Sequence, residues 1–327
     1  MKRNTDLDFI RALLIILMIL IHIVSFGNAY PHLKAGILSF MMPTFLIITG
    51  YLVNIEKSIR EYGKYLLCLA LPYVIMVTGF SILSYFLPVR DGITELSLVE
   101  IANKIFVTSI GPYWFIQTMI ICGILYYACI TGCEHLATKY QKGKPFTLTA
   151  RLFLLALSFV LVAKTPALNI TAAAYYFVGV VIRQSHIDFS KIFCPTPLAL
   201  PLWAFILYRE DLYGWGNLAV MFSCWCCLST FLWISQLIGK TTNKKSLAYQ
   251  AKDTLLYIGR NTLPIYLFHP IFTMLAKFYH PLLAFDTTEV LMAVITIILA
   301  ITGCIAIAKM MEKTKLAYIF GKGKMLR

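Results

Sequence analysis

The chain is a succession of long apolar runs separated by short clusters of basic residues, and that alternation leaves few folds open to it. A helix of about 20 apolar residues crosses a hydrocarbon core about 30 Å thick. No water reaches the backbone there, so each run must satisfy its own N–H and C=O groups, as a helix does. Ten candidate helices are read at 9–28, 36–54, 64–88, 112–132, 151–164, 169–183, 197–208, 217–238, 261–280 and 289–311. The fifth to seventh are short for a full crossing. The predicted fold is all-α, a polytopic membrane helix bundle forming one membrane domain over residues 1–327.

Composition agrees with this reading. The chain is 59% hydrophobic and 13% charged, against about 25% charged in soluble chains. The net charge of +14 comes from no compact basic domain, so no nucleic-acid partner is expected. The basic residues instead report orientation. With a cytoplasmic N-terminus, 23 of the 29 lysines and arginines fall on the inner side. The six outside are Lys34, Arg90, Lys104, Lys164, Arg209 and Lys277, while the acidic residues divide eight inside and seven outside. A bias in Lys and Arg alone is what the positive-inside rule describes. It predicts an even number of spans with both termini cytoplasmic. The first apolar run contains Arg11 and His22 and leads straight into a second, so it is read as a retained helix rather than a cleaved signal. The nine cysteines lie mostly in apolar segments and lack the spacing of a disulfide framework; Cys224, Cys226 and Cys227 read as small apolar filler.

Arg11 and His22 are separated by ten uncharged residues. Eleven helical steps make about three turns, so both side chains emerge on nearly one face, about 16 Å apart along the axis. That is about half the hydrocarbon thickness. Each residue also has an ordinary reading. Arg11 can snorkel to the headgroups or pair with Asp8, three residues earlier on the same face. His22 can bond a neighbouring carbonyl. His269 is the second histidine deep in an apolar segment, nine residues beyond Arg260, or about 14 Å, so the two imidazoles are expected at similar depth. Histidine is the natural general base at such a place, because its unperturbed pKa lies near neutrality. Pro264 and Pro270 flank Tyr266 and His269 and are expected to break that helix where a cavity satisfies the freed carbonyls. Thr49-Gly50 reads as a point of close helix approach. Pro112-Tyr113-Trp114-Phe115 reads as an aromatic belt at the outer interface, and a sugar-stacking platform would look the same. There is no Walker loop, dinucleotide fingerprint or nucleophile elbow, and no cluster with metal-ligand spacing.

These segments together resemble the membrane acyltransferase-3 family. The D-x-x-R and R-x10-H motifs fall on Asp8, Arg11 and His22. Pro43 to Leu52 is similar to the family's P-x-F-F-x-x-S-G-Y/F-L, with Leu46 in place of one phenylalanine and Thr49 in place of serine. Trp114-Phe115 matches its W-F pair, and Tyr266 to Pro270 its Y-L-x-H-P. Ala12 stands where glycine often follows the motif arginine. The resemblance implies the stand-alone form, without an appended esterase-like domain, in a bacterial inner membrane. It implies transfer of an acyl group, most often acetyl, from cytoplasmic acyl-CoA to a hydroxyl of a surface glycan or its lipid-linked precursor. Acetyl-CoA would be a donor substrate, with no permanently bound cofactor and no metal. On this reading Arg11 contacts a CoA phosphate, and His22 is the general base, an acyl-histidine being the variant. Asp8, Trp114, Tyr266 and His269 are candidates for orienting His22 or binding substrate. The competing reading is a secondary transporter of a small polar or sugar-like solute using midplane histidines.

Overall fold

The computed structural model describes residues 4–87, 91–140, 147–239, 246–321 and 323–327. Of the basic residues counted above, Lys2, Arg3, Arg90, Lys142, Lys144, Lys240, Lys244, Lys245 and Lys322 lie outside the described residues, as does Pro88 at the end of the third expected helix. Among the described residues there are fourteen α-helices and no strand. In chain order they are α1 (Thr5–Ile21), α2 (Val24–Ala29), α3 (Pro31–Leu52), α4 (Ile59–Phe86), α5 (Leu98–Phe106), α6 (Trp114–Tyr140) and α7 (Leu148–Val162). There follow α8 (Ile170–Gln184), α9 (Phe189–Ile192), α10 (Ala199–Tyr208), α11 (Leu218–Gly239), α12 (Leu247–Arg260), α13 (Thr262–Tyr279) and α14 (Val290–Lys313).

Each of the ten expected helices has a counterpart, and the first differs most. It begins earlier, at Thr5, because the Asn4 side chain accepts hydrogen bonds from the N–H groups of Asp6 and Leu7 and caps the first turn. It ends at His22 rather than running to residue 28, and α2 follows as a separate short helix. Tyr30, which precedes Pro31, leaves helical geometry, and Pro31 opens α3. Helices α5, α9 and α12 have no counterpart in the reading of apolar runs. Helix α9 is four residues long. Helices α5 and α12 carry only an apolar stripe, with Leu98, Val99 and Phe106 exposed on α5.

Among the described residues, five helical segments are long and apolar enough to cross a membrane: α3, α4, Gly111–Cys133, α11 and α14. Helices α7, α8 and α10 are apolar but shorter. The polarity of the chain is turned outside in. Large apolar side chains such as Phe153, Leu161, Val294 and Ile298 are exposed, while Asp8, Ser229, Thr230, Ser235, His269, Thr273 and Thr296 are buried. Water would not favour that distribution, and hydrocarbon does. The chain is an all-α multi-pass membrane protein.

The helices fall into two compact units. The first comprises Met1–Phe45, Asp188–Tyr318 and Gly323–Arg327, and the second Leu46–Ile187 and Ile319–Lys322. In the second unit, α3 and α8 meet through two glycines. A Cβ on Gly50 would lie 2.1 Å from the Tyr176 carbonyl oxygen, and one on Gly179 would lie 2.0 Å from that of Ile47. The approach read from Thr49-Gly50 is therefore made, backbone against backbone. In the first unit, α1 packs on α11, α12, α13 and α14. Its tightest contact is with α12, where a Cβ on Gly259 would fall 1.7 Å from the Asp8 carbonyl oxygen. Ser235 on α11 donates to Asp6 at 2.7 Å. The last residues fold back on the same unit. Glu312 accepts from the N–H groups of Met325 and Leu326, and Asn261 from that of Arg327.

Candidate active site

The end of the site nearest the start of α1 is a small charge network. Asp8 is buried, with 4% of its surface exposed, so its carboxylate needs partners. Arg11 Nη1 lies 3.8 Å from Asp8 Oδ1, and Arg260 Nε lies 4.0 Å from Asp8 Oδ2. Arg11 Nη2 also donates to the hydroxyl of Thr262, the first residue of α13. The guanidinium is thus turned toward the α12–α13 junction, and its side chain is 26% exposed. Arg11 thus makes the Asp8 pairing that their spacing predicts and adds a contact to Thr262. Two guanidinium groups lie beside the carboxylate of Asp8. Arg260 Nε is buried and has no hydrogen-bond partner. A buried guanidinium donor of this kind suits an acceptor supplied by an anionic ligand.

Arg260 had served in the sequence only to mark the membrane rim, and Thr262 had no assigned part. Their signal was present in Arg260-Asn261-Thr262-Leu263-Pro264, where a helix C-terminus with a basic residue passes into an N-cap and a first-turn proline. Asn261 makes the join, donating to the Tyr257 carbonyl at 2.9 Å.

The other end of the site is built by two local departures from helix geometry. At the end of α1 the backbone tightens, and the His22 N–H donates to Ile19 at 3.0 Å rather than to Met18. The Met18 carbonyl is thereby left over, and His22 Nδ1 bonds it at 2.7 Å. On α13 the cause is covalent. Pro270 has no N–H, so the Tyr266 carbonyl four residues earlier loses its helical donor. His269 Nδ1 bonds that carbonyl at 2.7 Å. A carbonyl oxygen only accepts, so both imidazoles carry their proton on Nδ1 in the neutral form and present Nε2 as an acceptor.

The two rings come together with centroids 5.1 Å apart at an interplanar angle of 71°. The similar depth expected from the sequence is met by direct juxtaposition. His269 is completely buried, and its Nε2 has no hydrogen-bond partner. His22 is half-buried. Neither imidazole can donate to the other while both are neutral. The arrangement holds two lone pairs that await a donor such as a hydroxyl group.

The expected break in the ninth helix does not occur. Helix α13 is continuous from Thr262 to Tyr279, because Pro264 lies in its first turn, where no N–H is required, and the carbonyl freed by Pro270 is taken up by His269. Tyr266 contributes that carbonyl, and its ring lies 5.8 Å from the His269 ring. Trp114 belongs to the second unit. It opens α6 after a 3-10 turn over Gly111–Tyr113 and meets Phe115 edge-on, with ring centroids 6.1 Å apart. None of the nine cysteines forms a disulfide, and no group of three potential metal ligands occurs among the described residues.

An all-α membrane helix bundle, with a charge cluster at one end of its first helix and paired imidazoles at the other, is the class of protein the fold defines. Residues 4–309 match the acyltransferase-3 family model, described as an acyltransferase domain, and the chain belongs to that family. Its chemistry is acyl transfer. No curated protein and no solved structure matches the chain.

Proposed function

We propose that the protein is an O-acyltransferase that takes an acyl group, acetyl in the first instance, from cytoplasmic acyl-CoA. The acceptor is a hydroxyl of a surface glycan or its lipid-linked precursor. The observation that carries this reading is the His22–His269 pair, with each Nδ1 held by a carbonyl of its own helix. His22 is the general base, since it is the more accessible of the two. Its Nε2 takes the proton of the acceptor hydroxyl while the hydroxyl oxygen attacks the thioester carbonyl carbon. The C–S bond then breaks, and the departing CoA thiolate recovers the proton from Nε2. The neutral imidazole of His269, with an unshared lone pair close by, favours the cation that forms on His22.

Arg11 and Arg260 bind phosphate groups of the donor, for which a guanidinium is well suited. Asp8 holds the two arginines in place. The pantetheine arm then reaches about 16 Å along α1 to the imidazoles. The distribution of lysine and arginine supports an even number of spans, with both termini in the cytoplasm. Acetyl transfer by membranes containing His22→Ala protein tests the proposal. Retained transfer by normally inserted protein would remove His22 as the base. Binding of acyl-CoA to the purified protein separates this reading from a secondary transporter, which has no use for that donor.

A further inference from the structure

The segment Gly323–Arg327 is fastened to the first unit by three backbone N–H groups. Glu312, near the end of α14, accepts from Met325 at 2.6 Å and from Leu326 at 2.7 Å. Asn261 accepts from Arg327 at 2.7 Å. The side chain of Met325 is buried beside these bonds. Asn261 joins Arg260 to Thr262, so the segment ends at the mouth formed by Arg11 and Arg260.

Asn261 departs from what its position favours. An asparagine at a helix N-cap ordinarily lends its side-chain oxygen to an N–H of the first turn. Asn261 stands there before α13 and makes no such bond. Its Oδ1 takes the Arg327 N–H instead, 66 residues away in the chain. Its Nδ2 donates to the Tyr257 carbonyl at 2.9 Å and to the backbone oxygen of Arg327 at 3.4 Å. Only 1% of Asn261 is exposed, so its amide needs partners at both ends, and Arg327 serves both. A local cap is given up for a long-range clasp.

The clasp sets one more cation beside the arginines. Lys324 and Arg327 are both exposed, but only Arg327 is bound to the α12–α13 junction. It is bound through its main chain, at N–H and at oxygen, so holding the segment does not require the guanidinium. A guanidinium fixed at its root and open to water is suited to a phosphate. An acyl-CoA donor carries its phosphates in two places. The pyrophosphate adjoins the pantetheine arm, and a separate phosphate sits on the ribose, further from the thioester. Arg11 lies on α1, along which the arm is read to run, and Arg260 lies beside it at Asp8, so these two suit the pyrophosphate. Arg327, exposed and arriving on another segment, suits the ribose phosphate.

We propose that Arg327, positioned by Asn261, pairs with the ribose phosphate of the donor and sets a preference for acyl-CoA over acyl-dephospho-CoA, which lacks that phosphate. The inference rests on the reading of the site as one for acyl-CoA. Dissociation constants of acetyl-CoA and acetyl-dephospho-CoA are measured on the purified full chain. The native protein is expected to bind acetyl-CoA about tenfold more tightly, the worth of one exposed charge-assisted contact. Arg327→Ala keeps the backbone clasp, so its thermal midpoint is expected to stay unchanged. It is expected to bind acetyl-CoA about tenfold more weakly and acetyl-dephospho-CoA as before, which abolishes the preference. Its turnover number at saturating acetyl-CoA is expected to match the native one, and Arg327→Lys to recover most of the preference. Asn261→Ala is expected to lose the preference although Arg327 is intact. A preference that survives Arg327→Ala, or equal weakening of both ligands by it, would overturn the assignment of Arg327. A preference that survives Asn261→Ala would overturn the positioning role of Asn261. Equal affinity of the native protein for the two ligands would overturn the inference and leave the proposed function standing. Binding of neither would overturn the proposed function itself.

Discussion

The two ends of α1 are built on opposite principles. The N-terminal end gathers its groups from afar, since Asp8 and Arg11 meet Arg260 and Thr262, some 250 residues later in the chain. The C-terminal end is built from near neighbours. His22 is fixed by Met18 and His269 by Tyr266, each within a single turn. Only the meeting of the two rings is long-range. A site made of distant charges depends on how helices pack. A site made of local carbonyl bonds keeps its tautomers even if the helices shift slightly, because each ring moves with its own backbone.

The sharpest way to break the comparison is at the C-terminal end. His22→Ala is expected to lower the turnover number by about 10²–10⁴-fold, the usual worth of a general base, with donor affinity unchanged. Acetyl transfer over a range of acetyl-CoA concentrations measures both quantities. The next largest effect is expected at the N-terminal end. Gly259→Ala places a Cβ 1.7 Å from the Asp8 carbonyl oxygen, so α1 and α12 must separate. Overpacking of this kind costs about 1–3 kcal/mol, which thermal unfolding in detergent reads as a lower midpoint. Gly63→Ala on α4 is the control, since a Cβ there meets nothing within 4 Å. Arg11→Ala is expected to weaken acetyl-CoA binding about tenfold, the worth of roughly one exposed charge-assisted contact. An unchanged dissociation constant would remove the phosphate role of the N-terminal end.

The smallest effect lies beyond the site. The hydrogen bond from His280 holds the Glu289 carboxyl below its ordinary value of 4.5. A depressed carboxyl contributes stability above its unfolded pKa and loses it as pH falls through the lower folded value. Acidification below about pH 4.5 should therefore lower the unfolding midpoint slightly more in the native protein than in Glu289→Gln. Equal acid sensitivity in the two proteins would show that this pair contributes nothing to stability.

The contrast also explains what could be read from the sequence. Ten apolar runs announced ten helices, because hydrocarbon enforces one pattern on every crossing. The pairing of His22 with His269 was legible because depth is counted in residues from a charged rim. The mouth was half legible. Asp8 and Arg11 share a helix face, but Arg260 sits on α12, an amphipathic helix that no apolar run reveals. A cavity lined by Val24, Ser25, Lys277 and Glu289 was not legible at all. It joins Ser25 and Glu289 across most of the chain, and neither stands in a recognisable motif. The break of α1 at His22 was missed for a related reason, since nothing in Ile21-His22-Ile23-Val24 resembles a stop signal.

Pro270 has a consequence for how regular α13 can be. By every local measure it is a flaw in α13, and a residue with an N–H there would restore one backbone bond and give a more regular helix. That repair would return the Tyr266 carbonyl to the ladder and leave His269 Nδ1 competing for an acceptor already taken. The ring would then be free to choose its tautomer, and Nε2 would no longer be committed as an acceptor. The substitution that would make α13 a more regular helix is therefore the one that would release the His269 tautomer.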